Sequence, residues 1–166
     1  MNEQTRLHTQ TLVGIYKQLL HFYGVTGVPQ EYPAHGTLGV LVWTSLTDGE
    51  WFGPEQNFWN VRVNDEGRTF RDEVKTRKGR SSFHNIHASI EGESPPFDRL
   101  IDMLFKPPFG IQQAYIIPYH LVKTHVSRQE KGYHLYISDD LIAEPEVQDI
   151  TDRVQAHLID WVRRVD

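Results

Sequence analysis

The residues of this chain best placed to do chemistry are Glu73 and Lys75, in the stretch RDEVKTRKGR at 71–80. Side chains two apart on a β-strand project from the same face, so this acid and this lysine stand together while Asp72 points away. Phosphodiester hydrolysis uses such a pair. A carboxylate holds a divalent cation that polarises the phosphate and lowers the pKa of an attacking water. A lysine beside it orients that water and stabilises the charge developing on phosphorus. The triplet also fits an ion pair on a solvated strand, worth about 0–1 kcal/mol. Basic residues crowd the same region: Arg68, Arg71, Lys75, Arg77, Lys78 and Arg80 are six of the seventeen in the chain. With the hydroxyls of Ser81 and Ser82, the residues Arg71, Arg77, Lys78 and Arg80 have the chemistry to track a phosphate backbone. A charged loop with no partner accounts for them about equally well. His84 and His87 sit three apart, but without a cysteine or a third ligand at recognisable spacing they do not define a zinc site.

The elements that must position these groups are partly readable. FWNVRVN, DEG and RTFRDEVKT form two strands joined by a glycine-containing turn. Alternation puts Trp59, Val61 and Val63 on one face of the first strand, and Phe70, Asp72 and Val74 on one face of the second. Trp59 reads as a core residue beneath the hairpin. Upstream, Leu12, Ile15, Tyr16, Leu19 and Tyr23 mark an amphipathic helix. TLGVLVWTSL is an apolar run that suits either a strand or a helix. Downstream, GRSSFHNIHASIEGESPP reads as a loop, RLIDMLF and GIQQAYIIP as paired strands covered on both faces, and PYHLVKTHV as a short helix. A strand at GYHLYIS and a helix through VQDITDRVQAHLIDWVRRVD complete the order. The expected class is α/β or α+β, with a mixed central sheet flanked by N- and C-terminal helices and residues 1–166 forming one domain.

In that setting the chain resembles the PD-(D/E)XK nuclease superfamily, in which a hairpin supplies Asp from one strand and (D/E)-x-K from the next. More narrowly, it is similar to a bacterial group of restriction-endonuclease-like domains. FWN, DEG, DEVKTR, FDRLIDMLF, AYIIP and VQDITDRV occur in that group's order. Each motif alone is loose; the shared order covers nearly the whole length. The resemblance implies a restriction-endonuclease-like sheet and a metal-dependent DNA endonuclease of restriction or genome-defence type. It implies Mg²⁺ or Mn²⁺ at Glu73, a water-assisting role for Lys75, DNA as partner, and a homodimer where both strands are cut. At the position of the family's metal-binding Asp, however, stands Asn60, whose neutral carbonyl oxygen weakens such a site. The acid often supplied by the preceding helix is missing from GTLGVLVWTSL as well. Several arrangements stay open. The fold can be retained for binding nucleic acid or a partner protein, Glu50, Glu55 or Asp65 can supply the carboxylate, or Asn60 can stand in for a removed Asp.

Composition sets outer bounds. The net charge of −5 and the absence of cysteine exclude a strongly basic binder, disulfides and thiolate metal sites. MNEQTRLHTQ is polar, and no apolar run approaches the ~20 residues of a membrane span. The expectation is a cytoplasmic protein with no membrane partner.

Overall fold

A computed structural model describes residues 14, 35–52, 59–78, 83–86, 88–92, 94–106, 110–130 and 132–163. Of the amphipathic helix expected over 12–23, Gly14 alone lies within them, in helical conformation; the rest lies outside. TLGVLVWTSL belongs to helix α1 (His35–Thr47). Its apolar residues face no single side, because Leu38, Val40, Leu41, Val42, Trp43 and Thr44 are all buried. A helix apolar all round belongs in an interior. Thr44 and Thr47 satisfy their hydroxyls by donating to the carbonyls of Val40 and Trp43. The helix ends at Asp48, whose φ of 51° is left-handed.

The central sheet is mixed. Its order is β1 (Glu50–Trp51), β2 (Val61–Asp65), β3 (Arg68–Lys78), β5 (Arg99–Lys106), β6 (Gly110–Pro118), β9 (Gln148–Asp149). All neighbours are antiparallel except β3 and β5, which run parallel. The β2–β3 hairpin turns through Glu66 and Gly67, both left-handed at φ 48° and 81°. Two such residues between paired strands give the turn whose twist matches theirs.

A second, three-stranded sheet has the order β4 (Phe83–Ile86), β8 (Gly132–Tyr136), β7 (Val126–Gln129). It corrects the loop expected at GRSSFHNIHASIEGESPP, which holds β4 and a 3-10 turn at Ala88–Glu91. The helix expected at PYHLVKTHV is α2 (Tyr119–His125), and Val126 already belongs to β7. A short α3 (Asp139–Ile142), capped by the Ser138 hydroxyl, and the helix α4 (Thr151–Arg163) complete the described chain.

The architecture is therefore mixed α+β, with helices on both sides of the sheet in chain order. Two cores share the central sheet. On one face α1 and α4 pack Trp43, Val154 and Leu158 onto Val61, Val74, Ile101 and Met103. On the other, the small sheet and α2 pack Ile86, Leu135 and Leu121 onto Leu100 and Ile117. Among the described residues no helix is long and apolar enough to cross a membrane.

Candidate nucleic-acid site on the outer sheet face

Glu73 and Lys75 project from β3 on the face shared with Leu100 of β5, away from α1. Lys75 Nζ lies 3.0 Å from Glu73 Oε1, with side chains 29% and 14% exposed. Burial raises the Glu73 carboxyl above its ordinary range, and the adjacent ammonium opposes that shift. This is a half-buried pair at a sheet surface, as the strand alternation requires.

Asn60 is held in a different way. Its Nδ2 donates to the carbonyl of Val74 at 3.2 Å, and its Oδ1 accepts from the N–H of Val74 at 3.0 Å. The carboxamide thus acts as an extra peptide group on the edge of β3. Its backbone N–H donates to Asp72 O at 3.0 Å, although Asp72's register partner is Val61. Two residues facing one is the arrangement of a β-bulge. That irregularity corrects the expected alternation: Trp59 packs into the core beneath the small sheet, whereas Val61 and Val63 pack against α1.

Two buried carboxylates near the hairpin, Asp72 and Asp102, are committed. Asp72, fully buried on the α1 face, accepts from Arg99 Nε and Nη2 and from Trp43 Nε1, each at 2.8 Å. Burial pushes its carboxyl up, and these donors oppose the shift. Asp102 accepts from Arg77 Nε at 2.7 Å and Nη2 at 2.6 Å, and lies 2.6 Å from His84 Nε2. A carboxylate offers no proton, so this imidazole nitrogen carries the hydrogen. Burial alone would raise Asp102, but the bonds from Arg77 and His84 outweigh it and hold the carboxyl low. Burial lowers the His84 imidazole.

These placements change the expected roles. Arg77 is 5% exposed and fastens β3 to β5, so it is a fold residue rather than a loop contact for phosphate. Arg71 Nε and Nη2 grip Asp98 at 3.1 and 2.9 Å, and Nη2 also donates to Pro95 O at 3.1 Å. Its Nη1 has no partner among the described residues. Lys78 ends β3, its side chain outside the described set; Arg80, Ser81, Ser82 and His87 lie outside it entirely. Of the relocated carboxylates considered, Glu50 pairs with Arg62 at 3.4 Å. Asp65 follows Val63 onto the α1 face, and Glu55 is not described.

A resident Mg²⁺ or Mn²⁺ needs about six oxygens, with one or two carboxylates among them. Glu73 is one, already paired with Lys75, and Asn60 Oδ1 is spent on Val74. No group of three or more His, Cys, Asp or Glu suited to a metal occurs among the described residues. Among the described residues, the donor set on this face does not fit such an ion.

Sequence reasoning missed Arg62. Its guanidinium lies 4.4 Å from the Phe52 ring centroid and 5.8 Å from that of Trp59. Phe52 and Trp59 themselves meet edge to face at 4.8 Å. The available clue was Arg62's place opposite the Val61–Val63 face, directly across the hairpin from Arg71. The sequence matches no known family model and no curated protein.

Proposed function

We propose that this chain is a PD-(D/E)XK-type module that binds nucleic acid, DNA in first place, without cutting it. The observation that carries the reading is the two-way bond between the Asn60 carboxamide and the Val74 backbone. In this reading it turns the position of a metal-binding Asp into a piece of strand structure and leaves Glu73 without a second uncommitted carboxylate among the described residues. The resemblance in motif order and the side-by-side placement of Arg62 and Arg71 on the outer face of β2 and β3 support a retained affinity for phosphates. In this reading the protein works in the cytoplasm and needs no homodimer, since no pair of strands is cut.

Metal-dependent cleavage is the second reading, favoured by the shared face of Glu73 and Lys75. One experiment separates them. Labelled DNA and RNA, single- and double-stranded, are incubated with the protein in Mg²⁺ or Mn²⁺, and both retention and product are followed. Salt-sensitive retention with no product is expected, and Asn60→Asp stays equally silent. Charge reversal at Lys78 and Arg80 weakens retention, whereas Glu73→Gln leaves it intact. Cleavage that disappears in Lys75→Ala would replace this proposal with the endonuclease.

A further inference from the structure

Register across the sheet aligns Glu50, Arg62 and Arg71 in one row over β1, β2 and β3. Asp98, gripped by Arg71, closes the row on its other side. The order of charges is therefore acid, base, base, acid. Two like charges directly opposite on antiparallel strands are destabilising, and here they occupy the middle of the row. The outer carboxylates do not use up the two guanidiniums. Arg62 meets Glu50 through Nη1 alone, at 3.4 Å with side chains 43% and 56% exposed. Its Nε and Nη2 have no partner among the described residues, nor has Nη1 of Arg71.

Arg62 is also held in place. The Phe52 and Trp59 ring centroids lie 4.4 and 5.8 Å from its guanidinium carbon and confine it, and Asn60 anchors the chain between Trp59 and β2. A planar, pre-organised guanidinium is suited to bidentate recognition of phosphate. Lys75 stands on the same face, four residues from Arg71 along β3 and hence about 13 Å away. A single small anion can occupy only one end of such a track. A polymer of phosphates can reach both.

We propose that Arg62 and Arg71 together clamp one phosphodiester of a nucleic-acid strand laid across the outer face of β1–β3, with Lys75 further along its path. This rests on the binding reading above and names the surface that serves it. The stacked Arg62 is the positioning and affinity residue, and the Phe52 and Trp59 rings are its support.

The test is fluorescence anisotropy with labelled single- and double-stranded oligonucleotides of mixed sequence over a salt series. Arg62→Gln, an exposed change that leaves the core untouched, is expected to weaken binding about tenfold. It should also reduce the slope of log K against log salt by about one. Arg62→Lys keeps the charge and loses the stacked fork, so it retains the slope with intermediate affinity. Arg153→Gln, on the α4 side of the sheet, serves as the matched control and leaves both quantities unchanged. Wild-type binding that survives intact in Arg62→Gln, or falls equally in Arg153→Gln, overturns the clamp while the binding module stands. Inorganic phosphate that displaces the oligonucleotide at equal affinity per site overturns the choice of a polymer. No binding of either nucleic-acid form by the wild type overturns the module and the clamp together.

Discussion

Asn60 illustrates what a single side chain can hide. That it stands where the resemblance expects an Asp was readable from the order of motifs. Its use was not, since a side chain imitating a peptide group leaves no periodicity to read. The geometry gives a definite expectation for Asn60→Asp. The carboxylate keeps an acceptor for the Val74 N–H but loses the donor to Val74 O, and places negative charge against that carbonyl. Leaving a half-buried acceptor unmade costs about 1–3 kcal/mol, visible as a lower urea midpoint with unchanged m-value. Glu73 behaves in the opposite sense. Its folded pKa is raised above the ordinary 4.5, so its favourable contribution is complete at low pH and is lost as pH rises through the folded value. Glu73→Gln is therefore expected to raise stability at pH 7 and to give no gain near pH 4, measured by paired urea titrations. An unchanged or lower midpoint at pH 7 would mean that the Lys75 pair outweighs burial.

At the scale of elements, β3 was legible because RTFRDEVKT alternates cleanly, and α1 was ambiguous because a helix buried all round shows no stripe. The strand β4 was not legible. It has four residues, two of them polar, and glycine and serine precede it, so it reads as loop until β8 supplies its partner. The buried cluster of Arg77, Asp102 and His84 joins β4 to the central sheet beside the apolar packing of Ile86. Removing one member of such a cluster leaves an uncompensated charge, so Asp102→Asn is expected to cost about 3–5 kcal/mol. Replacing all three by apolar residues of similar volume should cost far less, which distinguishes a desolvated charge from lost packing. His84 adds a pH dependence. Its folded pKa lies below the ordinary 6.5, so its contribution is complete above 6.5 and is lost as pH falls through the folded value. Imidazole NMR resonances should show His84 neutral at pH 6.5, and His84→Phe should flatten the stability profile between there and the folded pKa.

Among the described residues the molecule is a sheet with one face covered by α1 and α4 and the other partly by a smaller sheet, and its hairpin end carries the charged row. Its net charge of −5 hid that surface, because the sum says nothing about which side the arginines occupy. Both cores share β5 and β6, whose alternate residues enter one core or the other, while β3 gives Val74 to the α1 side alone. Damage on the closed face should therefore be felt on the open one. Gly39 is the point to test it. On α1 it sits against β3 and β5, where an added Cβ would overlap Thr76 Cγ2 and approach Val74 Cγ1 and Met103 Sδ, each at 3.7 Å. Thr76 is branched and held within the strand, so the helix must move outward to make room. Gly39→Ala is accordingly expected to destabilise by about 1–3 kcal/mol despite its gain in helix propensity of about 1 kcal/mol. If the shared strands couple the cores, far-UV circular dichroism and tryptophan fluorescence will shift together to one new midpoint. Two separate transitions, with the small sheet surviving the loss of α1, would instead make the open face an independently folded platform. The Arg62–Arg71 row would then depend on the β2–β3 hairpin alone rather than on the packing of α1 behind it.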